Sequence, residues 1–280
     1  MTAVGTSLPE LARRHPEWKP WLVVIEVILQ EAADARWDAL VPTDVDRPHG
    51  KTPLLAGAPL VVNEDAIRRV LDRVIRTARR SRTAQLDTLE RAVRAGVDIS
   101  NLFALALRHD ADGLARTAAA INADPAGLQA VATLLPVPFL QACHRRWAAA
   151  IDRNWSEGYC PLCGAWPALA EVRGIERNRY LRCGRCGAEW ESHVLSCPYC
   201  RTTDHEELVT LVPENGQANA VVEACRRCRG YLKSLTRLQG SPPAGVHLDD
   251  LATVDLDIAA LDQKYERPGG TGYPLTVTVG

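Results

Sequence analysis

Eight of the nine cysteines in this chain fall between positions 160 and 228, as four Cys-x-x-Cys pairs: Cys160/Cys163, Cys183/Cys186, Cys197/Cys200 and Cys225/Cys228. A two-residue gap lets both thiolates of a pair turn toward one point while the backbone N–H groups that follow face the sulfurs. Two such knuckles place four sulfurs at the corners of a tetrahedron, a donor set that suits Zn²⁺ or a rubredoxin-type iron. A single pair is a weak signal, but four so close together are a strong one. Gaps of 19 residues within the first two pairs and 24 within the last two leave room for a hairpin to return one knuckle beside the other. The shortest loops join Cys160/Cys163 to Cys183/Cys186 and Cys197/Cys200 to Cys225/Cys228. A cross-braced alternative, first knuckle with third and second with fourth, stays open at this point.

Four thiolates around a divalent ion leave a formal charge of −2, and Arg182, Arg185, Arg226, Arg227 and Arg229 sit in or beside the knuckles where they could offset it. No histidine or carboxylate shares the ligand spacing, so each site reads as closed: structural or, with iron, one-electron redox. The remaining chemistry is thin. Cys143 and His144 are neighbours on a helix and point about 100° apart, so they make no catalytic dyad. Cys143 reads as a small buried residue. His15, His49, His109, His193, His205 and His247 form no ligand pattern, and the chain has neither a Gly-rich phosphate loop nor a Gly-x-Ser-x-Gly elbow. Nothing here points to an enzyme.

The elements that must position these sulfurs belong to a chain of 280 residues, 46% hydrophobic and 24% charged, with a net charge of −1. Those are the proportions of an ordinary globular protein with about two domains. Residues 156–240 hold eleven Lys/Arg against ten Asp/Glu, too even for a general nucleic-acid binder. Paired cysteines at this length read as metal ligands in a reducing compartment, hence a cytoplasmic protein. The apolar run Trp21–Leu29 after Arg13-Arg14 mimics a secretion signal, but Glu26 interrupts it and a helical pattern continues past it. No stretch has about 18 uninterrupted apolar residues, so no membrane insertion is expected.

Apolar residues at helical spacing predict a helix over 17–40, with Trp18 and Trp21 in the core, and another from an Asn63 N-cap carrying Ile67, Val70, Leu71, Val74, Ile75 and Ala78. The arginines of that second helix read as a solvated face. Shorter helices follow at about 83–95, 99–108 and 113–121, then one capped by Asp124-Pro125 and one opened by Pro138. Residues 42–59, with four prolines, read as loop. After Gly158 the pattern turns to short strands at 166–182, 188–195, 206–212 and 218–224, with turns at Arg173-Gly174 and Pro213–Gly216. A helix over Asp249–Leu261 and a frayed glycine-rich tail from Gly269 close the chain. The expectation is an α+β protein: an all-helical domain over 1–155, two tandem rubredoxin-like or zinc-ribbon modules over 156–194 and 195–240, and a C-terminal helix and tail over 241–280.

The order Cys160-Pro-Leu-Cys-Gly, Tyr180-Leu-Arg-Cys-Gly-Arg-Cys followed by Trp190, Cys197-Pro-Tyr-Cys and Cys225-Arg-Arg-Cys-Arg-Gly-Tyr-Leu-Lys resembles the FdhE family of formate dehydrogenase accessory proteins, as does the tail Asp249-Asp-Leu-Ala-Thr-Val-Asp-Leu-Asp. The resemblance is close over 158–265 and slight before it. It implies a cytoplasmic, non-enzymatic factor that binds the catalytic subunit of formate dehydrogenase and supports its assembly or activation. It also implies two metal ions, zinc or iron, one per four-cysteine site, with all eight paired cysteines as ligands. A zinc-ribbon nucleic-acid binder or a rubredoxin-like electron carrier is the alternative, and self-association is left open.

Overall fold

A computed structural model of the chain describes residues 6–45, 50–61, 63–83, 86–213 and 219–276. The chain forms two compact units, one of Leu8–Arg47, Leu55–Trp147 and Pro274–Gly280, the other of Met1–Ser7, Pro48–Leu54 and Ala148–Tyr273.

The first unit is helical: α1 (Leu8–Arg14), α2 (Lys19–Ala32), α3 (Glu64–Ser81), α4 (Asp87–Arg94), α5 (Ile99–Arg108), α6 (Ala111–Ala120), α7 (Pro125–Leu134) and α8 (Val137–Trp147). Short polar side chains set the starts. Asn63, Asp98, Asp110 and Asp124 each accept a hydrogen bond from the backbone N–H three residues on, at 2.6–2.9 Å. The apolar stripe read on α3 is buried along its whole length. Several of its arginines are paired: Arg68 with Glu64 and Arg73 with Glu31 of α2. The single helix expected over 17–40 is instead two. Asp34 stops α2 and caps a 3₁₀ helix, Ala35–Leu40, by accepting from the Arg36 N–H, and Arg145 of α8 donates to the freed Ala32 carbonyl at 2.6 Å. Trp18 and Trp21 are half-buried rather than core, with Trp18 stacked on His15 at 3.7 Å. Cys143 is fully buried. The segment Pro125–Ala150 is long and apolar enough to cross a membrane by length and composition, but 72% of its apolar window is buried inside the protein.

The second unit carries one six-stranded sheet in the order β3-β2-β1-β6-β5-β4, from β1 (Leu169–Arg173), β2 (Asn178–Arg182), β3 (Glu189–Glu191), β4 (Leu208–Leu211), β5 (Ala220–Cys225) and β6 (Tyr231–Arg237). The hairpin strands were legible; β6 was not. It runs parallel to β1 with Leu169 opposite Lys233, and antiparallel to β5 with Ala224 opposite Tyr231. The two ribbons expected in tandem are therefore joined through β6 into one sheet. Beyond Pro213, the turn expected at 213–216 lies outside the described residues.

The expected C-terminal helix is also two, α9 (Gly245–Ala252) and α10 (Val254–Asp262), and β6 explains the break. Lys233, wholly buried, donates to the Asp250 carbonyl at 2.6 Å and to Asp257 Oδ2 at 2.6 Å, and pairs with Asp250 Oδ1 at 2.8 Å. Its ammonium thus serves the carbonyl end of one helix and the first turn of the next. Arg267 pairs with the same two aspartates, making a neutral group of two cations and two anions. The tail expected to fray is tied down as far as Tyr273: Thr271 Oγ1 and the Tyr273 N–H both donate to the Gly164 carbonyl, at 2.7 and 2.9 Å.

Removing one partner from a buried ion group leaves the others uncompensated. Lys233→Met is expected to lower the stability of this unit by about 3 kcal/mol. Amide exchange should accelerate through α9 and α10 while α3 keeps its protection; uniform loss across both units would contradict the assignment.

Candidate metal centres

The four knuckles are built alike. In each, the first cysteine's N–H donates to the carbonyl five residues on, as from Cys160 to Ala165, Cys183 to Ala188, Cys197 to Thr202 and Cys225 to Gly230, at 2.8–3.0 Å. The residue just after the second cysteine adopts a left-handed conformation: Gly164, Gly187, Arg201 and Arg229, with φ of 72°, 77°, 62° and 60°. Backbone N–H groups of Cys163, Arg185 and Gly230 point at sulfurs, at 3.4–3.5 Å. Each knuckle thus aims its thiolates by backbone alone.

Strand pairing then brings the knuckles together. Leu169 of β1 lies opposite Arg182 of β2, so the chain before β1 and the chain after β2 share one end of the sheet. Leu208 opposite Cys225 does the same for β4 and β5. The result is two sulfur groups, Cys160, Cys163, Cys183 and Cys186, and Cys197, Cys200, Cys225 and Cys228, each with its sulfurs within 4.8 Å of one another. This is the shortest-loop pairing, not the cross-braced one. Because β1 and β6 are parallel, both groups sit at the same end of the sheet.

The sulfur separations test the fit to an ion. Cys160–Cys186 and Cys163–Cys183 are 3.4 and 3.5 Å apart, Cys197–Cys228 and Cys200–Cys225 3.6 and 3.7 Å. A tetrahedron with sulfurs at about 2.3 Å from zinc has edges of about 3.8 Å, so both groups fit. Burial pushes the Cys160 and Cys186 thiols well up. Burial opposes ionisation of Cys183 too, but hydrogen bonds from Cys160, Cys163 and Cys186 overcome it and hold that thiol well down. A divalent cation can stand in the place of the protons such thiols give up.

The arginines divide differently from the sequence expectation. Arg185 is buried where it feels the charge of all four sulfurs of the first group. Arg182 donates to Glu171 and to the Ser241 carbonyl, each at 2.7 Å, and to the Gly187 carbonyl at 3.5 Å. Arg229 caps the end of α10 through the Gln263 and Lys264 carbonyls and lies over the Tyr265 ring, and Arg226 reaches the Glu206 carbonyl. Arg182, Arg226 and Arg229 thus hold elements together. Sequence alone also missed Glu171, fully buried among Arg173, Arg182 and Arg237, with Glu189 and Asp249 completing three carboxylates against three guanidiniums. Burial alone would raise the Glu171 carboxyl; Arg182, the Ser241 N–H and Arg173 outweigh it and hold it below the ordinary value. An aromatic run, Tyr159, Trp166 and Tyr199, links the first group to the second with ring centroids 6.1 and 5.4 Å apart.

Residues 195–273, which hold the second sulfur group, β4–β6, α9 and α10, match the family described as FdhE, C-terminal domain. A protein FdhE homolog of Stutzerimonas stutzeri is 36% identical over 143 residues, 47% of this chain and 46% of the relative. Protein FdhE of Escherichia coli is 32% identical over 111 residues, 39% of this chain and 35% of that protein. These alignments span less than half of each relative. The crystal structure of the FdhE protein from Pseudomonas aeruginosa shares the fold over 94% of this chain and 91% of its own, with a TM-score of 0.60 and 24% identity. Together these findings support an FdhE-like family, with the match carried by residues 195–273. The chain's first sulfur group lies outside the matched C-terminal domain.

Glu171 joins β1 to β2 beside the first centre, and its lowered carboxyl fixes the sign of a pH effect. Its contribution is present above the ordinary carboxylate range and is lost as pH falls through the depressed folded value. Glu171→Gln is expected to cost about 2 kcal/mol at pH 7, with the difference from wild type shrinking in acid. Urea titrations across that range check it, and a pH-independent gap would show that charge is not responsible.

Proposed function

We propose that Cys160, Cys163, Cys183 and Cys186 hold one metal ion and Cys197, Cys200, Cys225 and Cys228 a second, zinc or iron in either case. On this reading the FdhE-like chain is a cytoplasmic accessory factor with no turnover of its own. It binds the catalytic subunit of formate dehydrogenase and supports that subunit's assembly or activation. The observation that carries the proposal is the closure of both donor sets. Each offers four sulfurs and, among the described residues, no histidine or carboxylate joins either group. An ion held so supplies rigidity or, with iron, one electron; it presents no open position for a substrate. The family match and the shared fold support the choice of client.

Affinity capture from cells making formate dehydrogenase is expected to recover its catalytic subunit. Failure to recover it, together with unchanged formate dehydrogenase activity in a deletion strain, would refute the client assignment. Elemental analysis of the full chain is expected to find two ions. Cys183→Ala should retain one and lose ribbon structure, while the helical circular dichroism of the first unit persists, because a structural site stabilises its own surroundings.

A further inference from the structure

The two sulfur groups are alike in ligands and unlike in cover. All four cysteines of the first group are buried, at 0–1% exposure. In the second, Cys197 and Cys225 are buried, Cys200 is half-buried and Cys228 is exposed. The difference comes from what packs on each knuckle. Thr271 and Tyr273 close over Gly164, where an added Cβ would lie 2.3 Å from the Tyr273 carbonyl oxygen. Pro243 closes over Gly187, where an added Cβ would lie 2.3 Å from the proline ring. Among the described residues, the second group has no such lid on Cys228, although Gly230 meets the Tyr199 ring and Arg229 is tied to α10. Two cavities also reach its residues. One of about 440 Å³ is lined in part by Cys197 and Arg201, and one of about 470 Å³ by Cys197, Cys225 and Gly230. Neither is lined by a cysteine of the first group.

Resting on the metal reading above, we propose that the two centres have different work. The first is a locked structural core, and the second is an exchange site, whose ion passes to and from thiol or chelating donors that approach over Cys228. Ligand exchange at a four-coordinate centre needs room for the incoming donor beside the departing one. At Cys228 that room is solvent. There, an incoming donor would replace the Cys228 thiolate as ligand, and the proton a thiol donor gives up would go, through water, to Cys228; the charge of the ion would not change, so no oxidant or reductant is consumed. At the first centre the same step requires Tyr273 and Pro243 to lift away first, a local opening with its own free energy.

The test uses the full-length protein loaded with two zinc ions and challenged with 4-(2-pyridylazo)resorcinol, with N-ethylmaleimide labelling mapped by peptide mass spectrometry. One zinc ion is expected to leave at least about tenfold faster than the other. In that fast phase label should appear on Cys228 and Cys200, then on Cys197 and Cys225, while Cys160, Cys163, Cys183 and Cys186 stay unlabelled. Thr271→Val, which removes one strut of the first lid, should speed the slow phase and leave the fast one alone. Release of both ions in one phase, or earlier labelling of the first group, would overturn the division of roles and leave the metal reading standing. A chain that takes up no zinc at all overturns the metal reading itself, and the division with it.

Discussion

The parallel ladder between β1 and β6 fixes the position of everything chemical in the second unit. Five residue pairs, from Leu169–Lys233 to Arg173–Arg237, bring the start of one ribbon beside the end of the other. Without that ladder the chain would hold two hairpins, each with its own sulfur group and no set relation between them. Parallel pairing is no stronger per residue than antiparallel, so the ladder needs help from side chains. Lys233 and Arg237, both on β6, supply it by entering two separate ion groups, one with Asp250 and Asp257 and one with Glu171 and Asp249. Both groups are neutral and largely buried. Such an arrangement adds little net stability against an apolar core, but it tolerates few alternative registers. A one-residue slip of β6 would turn Lys233 and Arg237 to the other face and take a cation away from Asp250, Asp257, Glu171 and Asp249.

This explains which parts were readable in advance. The sulfur quartets were legible because their geometry is local: a two-residue gap aims two thiolates, and a hairpin-length loop brings the next two back. The α3 stripe and the aspartate and asparagine caps were legible for the same reason. β6 was hidden because Tyr231–Arg237 alternates poorly and carries Lys233 and Arg237, which a sequence reading places in solvent. Only Asp250, Asp257, Glu171 and Asp249, from 12 to 66 positions away, make those charges buriable. The break in the C-terminal helix was hidden with it, since Leu251, Val254, Leu256 and Ile258 keep helical spacing straight through Thr253. Glu171 looked like an ordinary alternating strand residue until three guanidiniums converged on it.

One further distinction was written in the sequence without being readable there. The first two knuckles end Cys-x-x-Cys-Gly, the last two Cys-x-x-Cys-Arg. All four terminal residues take positive φ, which costs a non-glycine residue about 1 kcal/mol. Conformation alone would therefore favour glycine at all four. Glycine is indispensable only where something sits on the knuckle, and the structure puts Tyr273 and Pro243 on Gly164 and Gly187. At Arg201 and Arg229 the side chain has an exit to solvent and a use: Arg201 pairs with buried Glu157 at 2.7 Å, and Arg229 secures α10. The residue after each second cysteine thus tracks whether other chain sits on that one position of the knuckle. Cover goes with glycine and exposure with a side chain at that one position, so the contrast between the two centres is marked in the knuckles and carried out by Tyr273 and Pro243 packing on Gly164 and Gly187.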